Sequence, residues 1–475
     1  MNELHFPWLT LAILTSLVGA IWARRFGDSD HGRAIWLISS SLTLILTLGA
    51  WRDFSSLEVA AAADPLAAWL GPPAQALMID HLSAPLLPLV GLLFLLTAVG
   101  TMQSKVRRYS FAWKMFSEAI LLATFSSRDP WMVIGLLALG VLPPLLELRQ
   151  RQKPLRVYAA HMGLFVALLV VGQLMVDSGG RAQAAAGPGW WAAAALLGAV
   201  LVRSGIAPLH CWVTDLFENA TLGTALLFVT PLSGAYAAAR LVLPVAPDDM
   251  LRGMGVMSLV ATVYAAGMAL IQSDARRLFS YLFLSHSALV LVGLEMGTAL
   301  GLTGALCVWL SISVALSGFG LTLRALEARR GRLSLHEFGG LYEHCPNLAM
   351  CFVLTGLASV GFPGTFGFVG MELLIDGAVD AYPHVGMAVV VAAALNGIAI
   401  VQTYFRLFTG ARYHSTISLW LRARERYAVL TLALIILLGG FFPQMVVTGR
   451  HRAAEELLAH HGEATSAHPS EPLAK

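Results

Sequence analysis

The sequence predicts an all-α, polytopic membrane protein with about 14 transmembrane helices, in two inverted five-helix repeats that each contain one broken helix. Three observations predict this fold. Hydrophobic residues make up 57% of the 475 positions and charged residues only 12%, whereas a soluble domain carries roughly 25% charged residues. Lysines and arginines concentrate in alternate loops, and glycine and proline interrupt two apolar runs. This composition excludes a soluble enzyme, a disordered chain and a nucleic-acid binder.

Apolar runs long enough to cross a bilayer predict the individual helices. The run at 347–379 is too long for one straight span, and its interruption at Gly361–Gly364 predicts one broken helix. We expect longer soluble pieces at 52–80, at 325–346 and after 448. The predicted helices lie near 8–23, 34–51, 83–102, 111–126, 130–148, 157–176, 189–208, 222–243, 251–271, 278–297, 300–324, 347–379, 384–409 and 427–447.

The loop charges predict how the chain is oriented. Most lysines and arginines fall in alternate loops, such as those that follow 148, 271, 324 and 409. The positive-inside rule places these loops in the cytoplasm. An even number of spans then leaves both termini on the outer side of a prokaryotic plasma (inner) membrane. Topology, rather than ligand binding, is the expected role of these basic loops.

Two interrupted helices predict an internal repeat. They contain Arg203–Trp212, with Pro208, and Gly361–Phe368, with Pro363, and they occupy similar places in two groups of five helices. An odd number of helices inverts the second repeat, and paired breaks in inverted repeats point to a transport site near mid-membrane. A plain proline kink is the alternative for either break alone. The predicted divisions are 1–110 (helices 1–3), 111–243 (first repeat), 251–409 (second repeat) and 410–475 (last helix and tail).

Ionisable side chains within the predicted spans are the candidates for an ion pathway, because each costs roughly 2.5–3.5 kcal/mol to insert. Carboxylates and imidazoles can pass protons, whereas arginine stays protonated and can only influence a neighbour. The spacing of Lys114 and Glu118 on one helix predicts an ion pair. We expect Arg240 and Glu147, near span ends, at the membrane interface. Structural pairing inside the bundle is the alternative for every candidate. The candidate pathway residues are Lys114, Glu118, Arg203, His210, Asp215, Glu218, His286 and Glu372.

The sequence predicts no catalytic centre, metal or cofactor in this chain. Its four cysteines have no metal-ligand spacing. Nucleotide-binding loops and haem motifs are also missing from the sequence. If the chain serves an enzyme, we expect it to do so as a non-catalytic subunit.

Several motifs in order give the sequence a family resemblance. They are Asp80-His-Leu-Ser83, Arg203-Ser-Gly-Ile-Ala-Pro208-Leu-His210-Cys-Trp212, Asp274-Ala-Arg-Arg277, Leu284-Ser285-His286-Ser287 and Gly361-Phe-Pro363 with Gly367-Phe368 and Glu372. Across about 75–410, the chain resembles the proton-conducting, antiporter-like membrane subunits of respiratory complex I and of multi-subunit cation/proton antiporters. Its segment Phe362–Leu373 also resembles the membrane subunits of two-component inorganic carbon uptake systems, whose partner is a large soluble zinc subunit.

The same resemblance shows where charges of the family are replaced. Ala138 stands where the family has a glutamate, Arg203 where it has a lysine, and Met371, next to Glu372, where it has a lysine or glutamate. The stretches 224–239 and 309–316 contain no lysine or histidine. The resemblance thus implies an axis reduced to Arg203, His286 and Glu372, with Lys114 and Glu118 as replacements.

Two functions from different classes follow. The first is an ion-conducting subunit, most simply for protons, that couples ion movement to inorganic carbon uptake or to a quinone-linked redox arm. The alternative is a structural membrane anchor with a degenerate channel that positions a soluble partner. A standalone transporter of an organic substrate is a third hypothesis. The expected partners are the lipid bilayer and a large soluble subunit or further antiporter-like subunits, without nucleic acid.

Overall fold

The computed structural model describes residues 2–27, 29–69, 77–101, 110–182, 189–410 and 423–466. The chain is mostly helical, with one short antiparallel strand pair on the loop after the second helix. The elements are α1 (Trp8–Phe26), α2 (Asp30–Leu57), β1 (Ala61–Ala63), α3 (Pro65–Trp69), β2 (Met78–Asp80), α4 (Leu86–Val99), α5 (Phe111–Ser126), α6 (Pro130–Gly140), α7 (Leu142–Gln150), α8 (Arg156–Ala182), α9 (Trp190–Ser204), α10 (Cys211–Asn219), α11 (Leu222–Val229), α12 (Ser233–Ala237), a π-helical turn (Ala238–Val242), α13 (Asp248–Leu270), α14 (Ala275–Leu294), α15 (Ala299–Arg330), α16 (Pro346–Ser359), α17 (Phe366–Ala381), α18 (Pro383–Phe408), α19 (Ala423–Phe441) and α20 (Gln444–Ser466).

The prediction of a helical, polytopic membrane protein is confirmed by the number of long apolar helices. In the described part of the chain, nine helical segments are long and apolar enough to cross a membrane, or up to ten if one bent pair counts as one span. The predicted apolar runs are helical, with their ends shifted by a few residues, apart from the run at 222–243, which is interrupted. The basic loops at 102–109 and 411–422 lie outside the described residues. The count of about 14 spans and the orientation of the termini stay predictions.

The helices surround a core made by α14 and α15, which are buried along nearly their whole length. Peripheral helices instead expose large apolar side chains, such as Ile21 on α1 and Ile38 on α2, each 69% exposed. Lipid can cover such surfaces at no cost, so apolar side chains face both inward and outward. This arrangement places the buried polar groups where lipid does not reach them.

Each predicted group of five contains a broken fourth helix. The first break separates α9 from α10 and begins at Gly205, whose φ of 69° is left-handed. The second separates α16 from α17 and contains Gly361, with a φ of 82°. Glycine adopts this conformation without the steric penalty of other residues. Both breaks are confirmed, whereas the inverted relation of the groups and the domain boundaries stay predictions.

The prediction of one continuous helix at 222–243 is wrong. Helix α11 ends at Val229, Leu232 takes a left-handed φ of 54°, and α12 runs into the π-helical turn. Pro231 explains the interruption, because proline has no N–H to donate and restricts the residue before it. This third break lies close to the first one in space, since α12 packs on α9.

The prediction of a soluble tail after 448 is also wrong for the described residues. Helix α20 bends by 77° from α19 and packs against α15. Its Ala453, Ala454 and Leu457 are buried, and the guanidinium of Arg450 donates to the carbonyls of His81 and Leu82. Alternation of apolar and charged residues gives this helix one face that the bundle can bury.

Candidate ion pathway

Lys114 forms a buried ion pair, but with a partner that the sequence analysis did not choose. Its Nζ lies 2.9 Å from Oε2 of Glu147, and the two residues are 2% and 8% exposed. Glu147 lies on α7, next to the cytoplasmic end that the loop charges predict. The expected pair of Lys114 with Glu118 and the interface position of Glu147 were therefore wrong. Lys114 pairs with Glu147 on a neighbouring helix rather than with Glu118, one turn away on its own helix.

Two threonines complete the surroundings of this pair. Thr224 accepts from Nζ of Lys114 and donates to Oε2 of Glu147, so its hydroxyl bridges both charges. The backbone N–H of Thr221 donates to Oε1 of Glu147 at 2.8 Å. Arg151 lies 3.6 Å from the same oxygen and is partly exposed. Glu147 thus connects the buried lysine to the edge of the basic loop.

Glu118 points away from Lys114, toward α2. Its Oε2 accepts from the Ser40 hydroxyl at 2.8 Å, and the residue is fully buried. Its Oε1 has no hydrogen-bond partner in the described part of the chain. Burial of an ionised carboxylate beside a single hydroxyl is costly, so this site favours the neutral acid.

A small cavity joins Lys114 to Arg203. Its volume is about 30 Å³, and Ser117, Thr224 and Ser233 are among the residues that line it. A single internal water needs roughly 10–15 Å³ of such space and two to four polar partners, which this cavity supplies. The structure therefore brings two predicted pathway residues, Lys114 and Arg203, to one cavity that is large enough to hold water.

Arg203, at the end of α9, is held in place by aromatic rings and one carbonyl. Its guanidinium carbon lies 4.0 Å from the centre of the Phe228 ring and 5.4 Å from that of Trp212. Its Nη2 donates to the Phe228 carbonyl at 3.0 Å. Cation–π contacts of this kind stabilise a desolvated cation without an acidic partner. Arg203 is therefore a fixed positive charge on the cavity wall.

A line of hydroxyls continues from the first break into the second group of helices. Ser287 donates to the Ser204 carbonyl at 3.4 Å, and His286 is the next residue on α14. Nδ1 of His286 lies 2.6 Å from the Leu282 carbonyl, while the ring also approaches the Ser359 carbonyl at the second break. On the other side, Asn396 donates to the Ser285 hydroxyl at 2.8 Å. His286 thus sits between the two breaks.

Several buried polar atoms along this line have no hydrogen-bond partner among the described residues. Buried polar groups in proteins are almost always satisfied, by internal water where protein atoms do not reach them. A concentration of such atoms between the two breaks favours a hydrated interior. They are Oγ of Ser204, Ser258, Ser311 and Ser317, Nε2 of His286 and Oδ1 of Asn396.

The remaining predicted residues lie off this line. His210 packs edge to face against Tyr264, with ring centres 5.5 Å apart, and is only partly buried. Asp215 accepts from Asn219 at 3.0 Å on α10, and Glu218 is exposed on the same helix. Glu372 is exposed on α17, whereas the adjacent Met371 is buried. The structure therefore does not gather these four residues with Lys114 and Arg203.

Arg240 was expected to reach out to the interface, and that expectation is wrong. Its Nη2 lies 2.6 Å from Oδ2 of Asp80, and its side chain is 10% exposed. Both Arg240 and Glu147 sit near the ends of apolar runs, where a sequence alone does not show which helix lies beside them. The signal that could have found Glu147 was the need of a buried lysine for an acidic partner.

Comparison with known proteins shows which family the chain resembles. Residues 182–396, which include both main breaks, match the family described as NADH:quinone oxidoreductase/Mrp antiporter, TM. Over this region, which is a little under half of its length, the chain is similar to this antiporter-like family. A relative named NAD(P)H-quinone oxidoreductase chain 4 1, from Synechococcus elongatus, is 25% identical and aligns over 94% of this chain and 90% of its own length. The resemblance of the motifs is thereby confirmed.

Solved structures share the fold of this chain. A chain of respiratory complex I from Thermus thermophilus gives a TM-score of 0.80 at 23% identity, over 96% of this chain and 100% of that one. A chain of the Mrp complex from Dietzia sp. gives 0.81 at 17% identity, over 97% and 98%. Both are chains of multi-subunit membrane complexes, which agrees with the prediction that this chain has other subunits as partners. The bacterial relatives and the many apolar helices indicate a multi-pass inner-membrane protein.

Proposed function

We propose that this chain is a proton-conducting membrane subunit of a complex I-like or Mrp-like assembly and couples proton movement to a partner subunit. The observation that carries the proposal is the Lys114–Glu147 pair on a water-sized cavity with Arg203 on its wall. Intramembrane ionisable residues are expensive and mark ion pathways by default. Here three of them share one site beside a broken helix.

The proposed path begins at the predicted cytoplasmic side. Glu147 and Arg151 mark its entrance, and Lys114 receives the proton from there. When the pair with Glu147 loosens, Lys114 can release its proton to water in the cavity. Arg203 stays charged and disfavours a second cation close by, so it promotes that release.

The proposed path then crosses to the second group of helices. Hydroxyls of Ser204 and Ser287, with intervening water, lead to His286. An imidazole can accept a proton on one nitrogen and release it from the other near neutral pH. From His286, the proton continues toward Ser311 and the second break. In this proposal, neutral polar groups replace the lysines that the family resemblance led us to expect in the second group.

The test neutralises both members of the ion pair in the native complex. Lys114→Gln with Glu147→Gln leaves no unpaired buried charge, so assembly should survive. Proton uptake into liposomes that contain the complex, measured with a pH-sensitive dye while the partner is active, should fall at least about tenfold, which corresponds to about 1.4 kcal/mol of barrier. The matched control neutralises another buried ion pair, with Arg329→Gln and Glu425→Gln, which joins α15 to α19 and does not line the cavity.

The second candidate function is a membrane anchor with a degenerate channel. The observation that favours it is the lack of buried charged side chains between the helix ends of α13–α18, within the described residues. Normal assembly and unchanged proton uptake in the doubly neutral variant would support the anchor and contradict conduction.

We also propose that the partner is either a quinone-linked redox arm or a soluble subunit for inorganic carbon uptake. The relatives' names support the first, and the resemblance of Phe362–Leu373 to the carbon uptake branch supports the second. Purification of the tagged chain from its native membrane and identification of the subunits that accompany it distinguishes the two.

A further inference from the structure

A second line of polar side chains leads from the Lys114 cavity to Asp80. Ser233, Tyr236 and Arg240 follow one another at i, i+3 and i+7 on α12 and the π-helical turn, so they share one face. Ser233 lines the cavity together with Lys114 and Arg203. The face therefore starts at the proposed proton path and ends near Asp80, away from the basic loops.

This route is filled by side chains rather than open. The Tyr236 ring is fully buried, and its hydroxyl donates to the Ser127 carbonyl at 2.8 Å. The same hydroxyl accepts from Nε of Arg240 at 3.2 Å. The Arg240 guanidinium also lies against the Tyr236 ring, 5.2 Å from its centre. Tyrosine and arginine thus form one packed plug.

Asp80 fixes the outer side of this plug. Its Oδ2 lies 2.6 Å from Nη2 of Arg240 and 3.4 Å from Nε of Arg128. Burial alone would raise the pKa of Asp80, but Arg240 and Arg128 lower this pKa to about 2. The carboxylate therefore stays ionised at physiological pH and retains its arginine partners.

The C-terminal helix holds the loop that carries Asp80. Arg450 on α20 is 2% exposed and donates to the Leu82 carbonyl at 3.0 Å and to the His81 carbonyl. Glu456 on the same helix lies 3.5 Å from the His81 ring. Asp80 itself caps Ser83, whose N–H donates to it at 2.9 Å. The acid that positions Arg240 is therefore held from two sides.

We propose that Arg240 is the electrostatic barrier that prevents protons in the Lys114 cavity from leaking straight through the first group of helices. A permanently charged guanidinium repels protons in a narrow polar passage, as arginines do in other selective pores. Asp80 and Tyr236 hold this charge across the passage. The barrier directs protons sideways, through Ser204 and Ser287, toward His286. This inference deepens the proposed function and rests on it.

The test measures passive proton leak, without partner activity, through the complex in liposomes under an imposed potassium diffusion potential. Arg240→Gln removes the positive charge while Arg128 still pairs with Asp80. We expect the leak to rise about tenfold. Arg240→Lys retains the positive charge, so its proton leak should equal that of the natural protein. Leak of the glutamine variant at the natural level would overturn the proposal.

A second variant covers the case in which Arg240→Gln does not assemble. Arg240→Gln with Asp80→Asn removes both charges, so that no buried carboxylate is left short of its main partner. Because Arg128 also pairs with Asp80, this variant carries Arg128→Gln as well, so that no positive charge remains at the plug. It should leak like the single variant, and a tight triple variant would again overturn the barrier. The pair Arg276→Gln with Glu327→Gln, distant from the plug, should not leak.

Failure of the barrier and failure of the proposed function give different results. If Lys114→Gln with Glu147→Gln abolishes partner-driven uptake but the Arg240 variants are tight, only the barrier is refuted. If that uptake does not depend on the Lys114 pair but the Arg240 variants leak, the conduction path is refuted while the plug is retained. A leak that Lys114→Gln with Glu147→Gln suppresses in the Arg240→Gln background supports both.

Discussion

The two predicted groups of five helices each contain a broken fourth helix but bury different kinds of side chain. The first, α5–α12, buries Lys114, Glu118, Glu147 and Arg203. The second, α13–α18, buries hydroxyls, one amide and His286 between the ends of its described helices, and Glu327 pairs with Arg276 beside the basic loops. The difference teaches that the break geometry does not require charges nearby. A broken helix creates room for polar groups, and the side chains decide which ones carry charge.

The largest expected effect comes from removing half of the charged pair. Glu147→Gln leaves Lys114 without its carboxylate in a buried site, which typically destabilises by about 3–5 kcal/mol. Thermal unfolding of the purified complex should show a large loss of stability, which Lys114→Gln in the same chain partly restores. The exposed pair of Arg252 and Asp249 provides the control, since Asp249→Asn should change stability by less than about 1 kcal/mol. Equal stability of Glu147→Gln and the natural chain would contradict the pairing.

The next largest effect on proton uptake is expected at Ser204, where the proposed path leaves the first group of helices. A Cβ added at Gly234 would lie 2.4 Å from Oγ of Ser204 and 3.3 Å from its N. Gly234→Ala should therefore displace the first break, at a cost of about 1–3 kcal/mol, and slow partner-driven proton uptake. Gly267→Ala is the matched control, because nothing lies within 4 Å of that Cβ. Equal uptake by the two alanine variants would remove Ser204 from the path.

The neutral second group should respond more weakly. His286→Gln keeps a hydrogen-bonding side chain but cannot carry a proton as imidazole does. Because neighbouring hydroxyls and water can bridge part of the gap, we expect proton uptake to fall by a few-fold rather than to vanish. Uptake can be compared with that of Ser313→Ala, whose hydroxyl bonds within its own helix to the Trp309 carbonyl at 2.9 Å. An unaltered rate for His286→Gln would restrict conduction to the first group.

The smallest effect is expected at the carboxylates that lie off the line. Glu118 faces Ser40 and Glu372 is exposed on α17. Replacement of both by glutamine should alter proton uptake by less than about twofold. A loss as large as that of the Lys114–Glu147 variant would show that the path runs through α2 or along the surface of α17.

The sequence predicted the elements of the fold better than the contacts of the site. Run length and hydropathy located the helices. Gly205 and Gly361 marked two breaks because the conformational freedom of glycine acts at its own position in the chain. Pro231 carried the same local signal, but the apolar run around it masked the third break. The ends of helices depend on residues that are close in the sequence, so they can be predicted from the sequence directly.

Contacts between distant residues were harder to predict. Lys114 has one acid a turn away and another 33 positions along the chain, and only packing of α7 against α5 decides between them. Arg240 pairs with Asp80, which lies 160 positions earlier in the chain, so its end-of-span position was misleading. The tail was misjudged because α20 gains its stability from α15 and from the loop at His81. Each of these outcomes depends on tertiary contacts, which periodicity does not encode.

The central claim, that protons cross a hydrated cavity beside Lys114, is tested most directly at Gly140, which lines that cavity. Gly140→Ala adds a methyl group whose Cβ meets only Ile120, at an ordinary 3.6 Å, so it should displace water and leave every charge in place. Gly135→Ala on the same helix, with nothing within 4 Å of its Cβ, is the matched control. The account predicts that partner-driven proton uptake falls several-fold in Gly140→Ala, while thermal stability matches that of Gly135→Ala. Equal uptake by the two variants would contradict it.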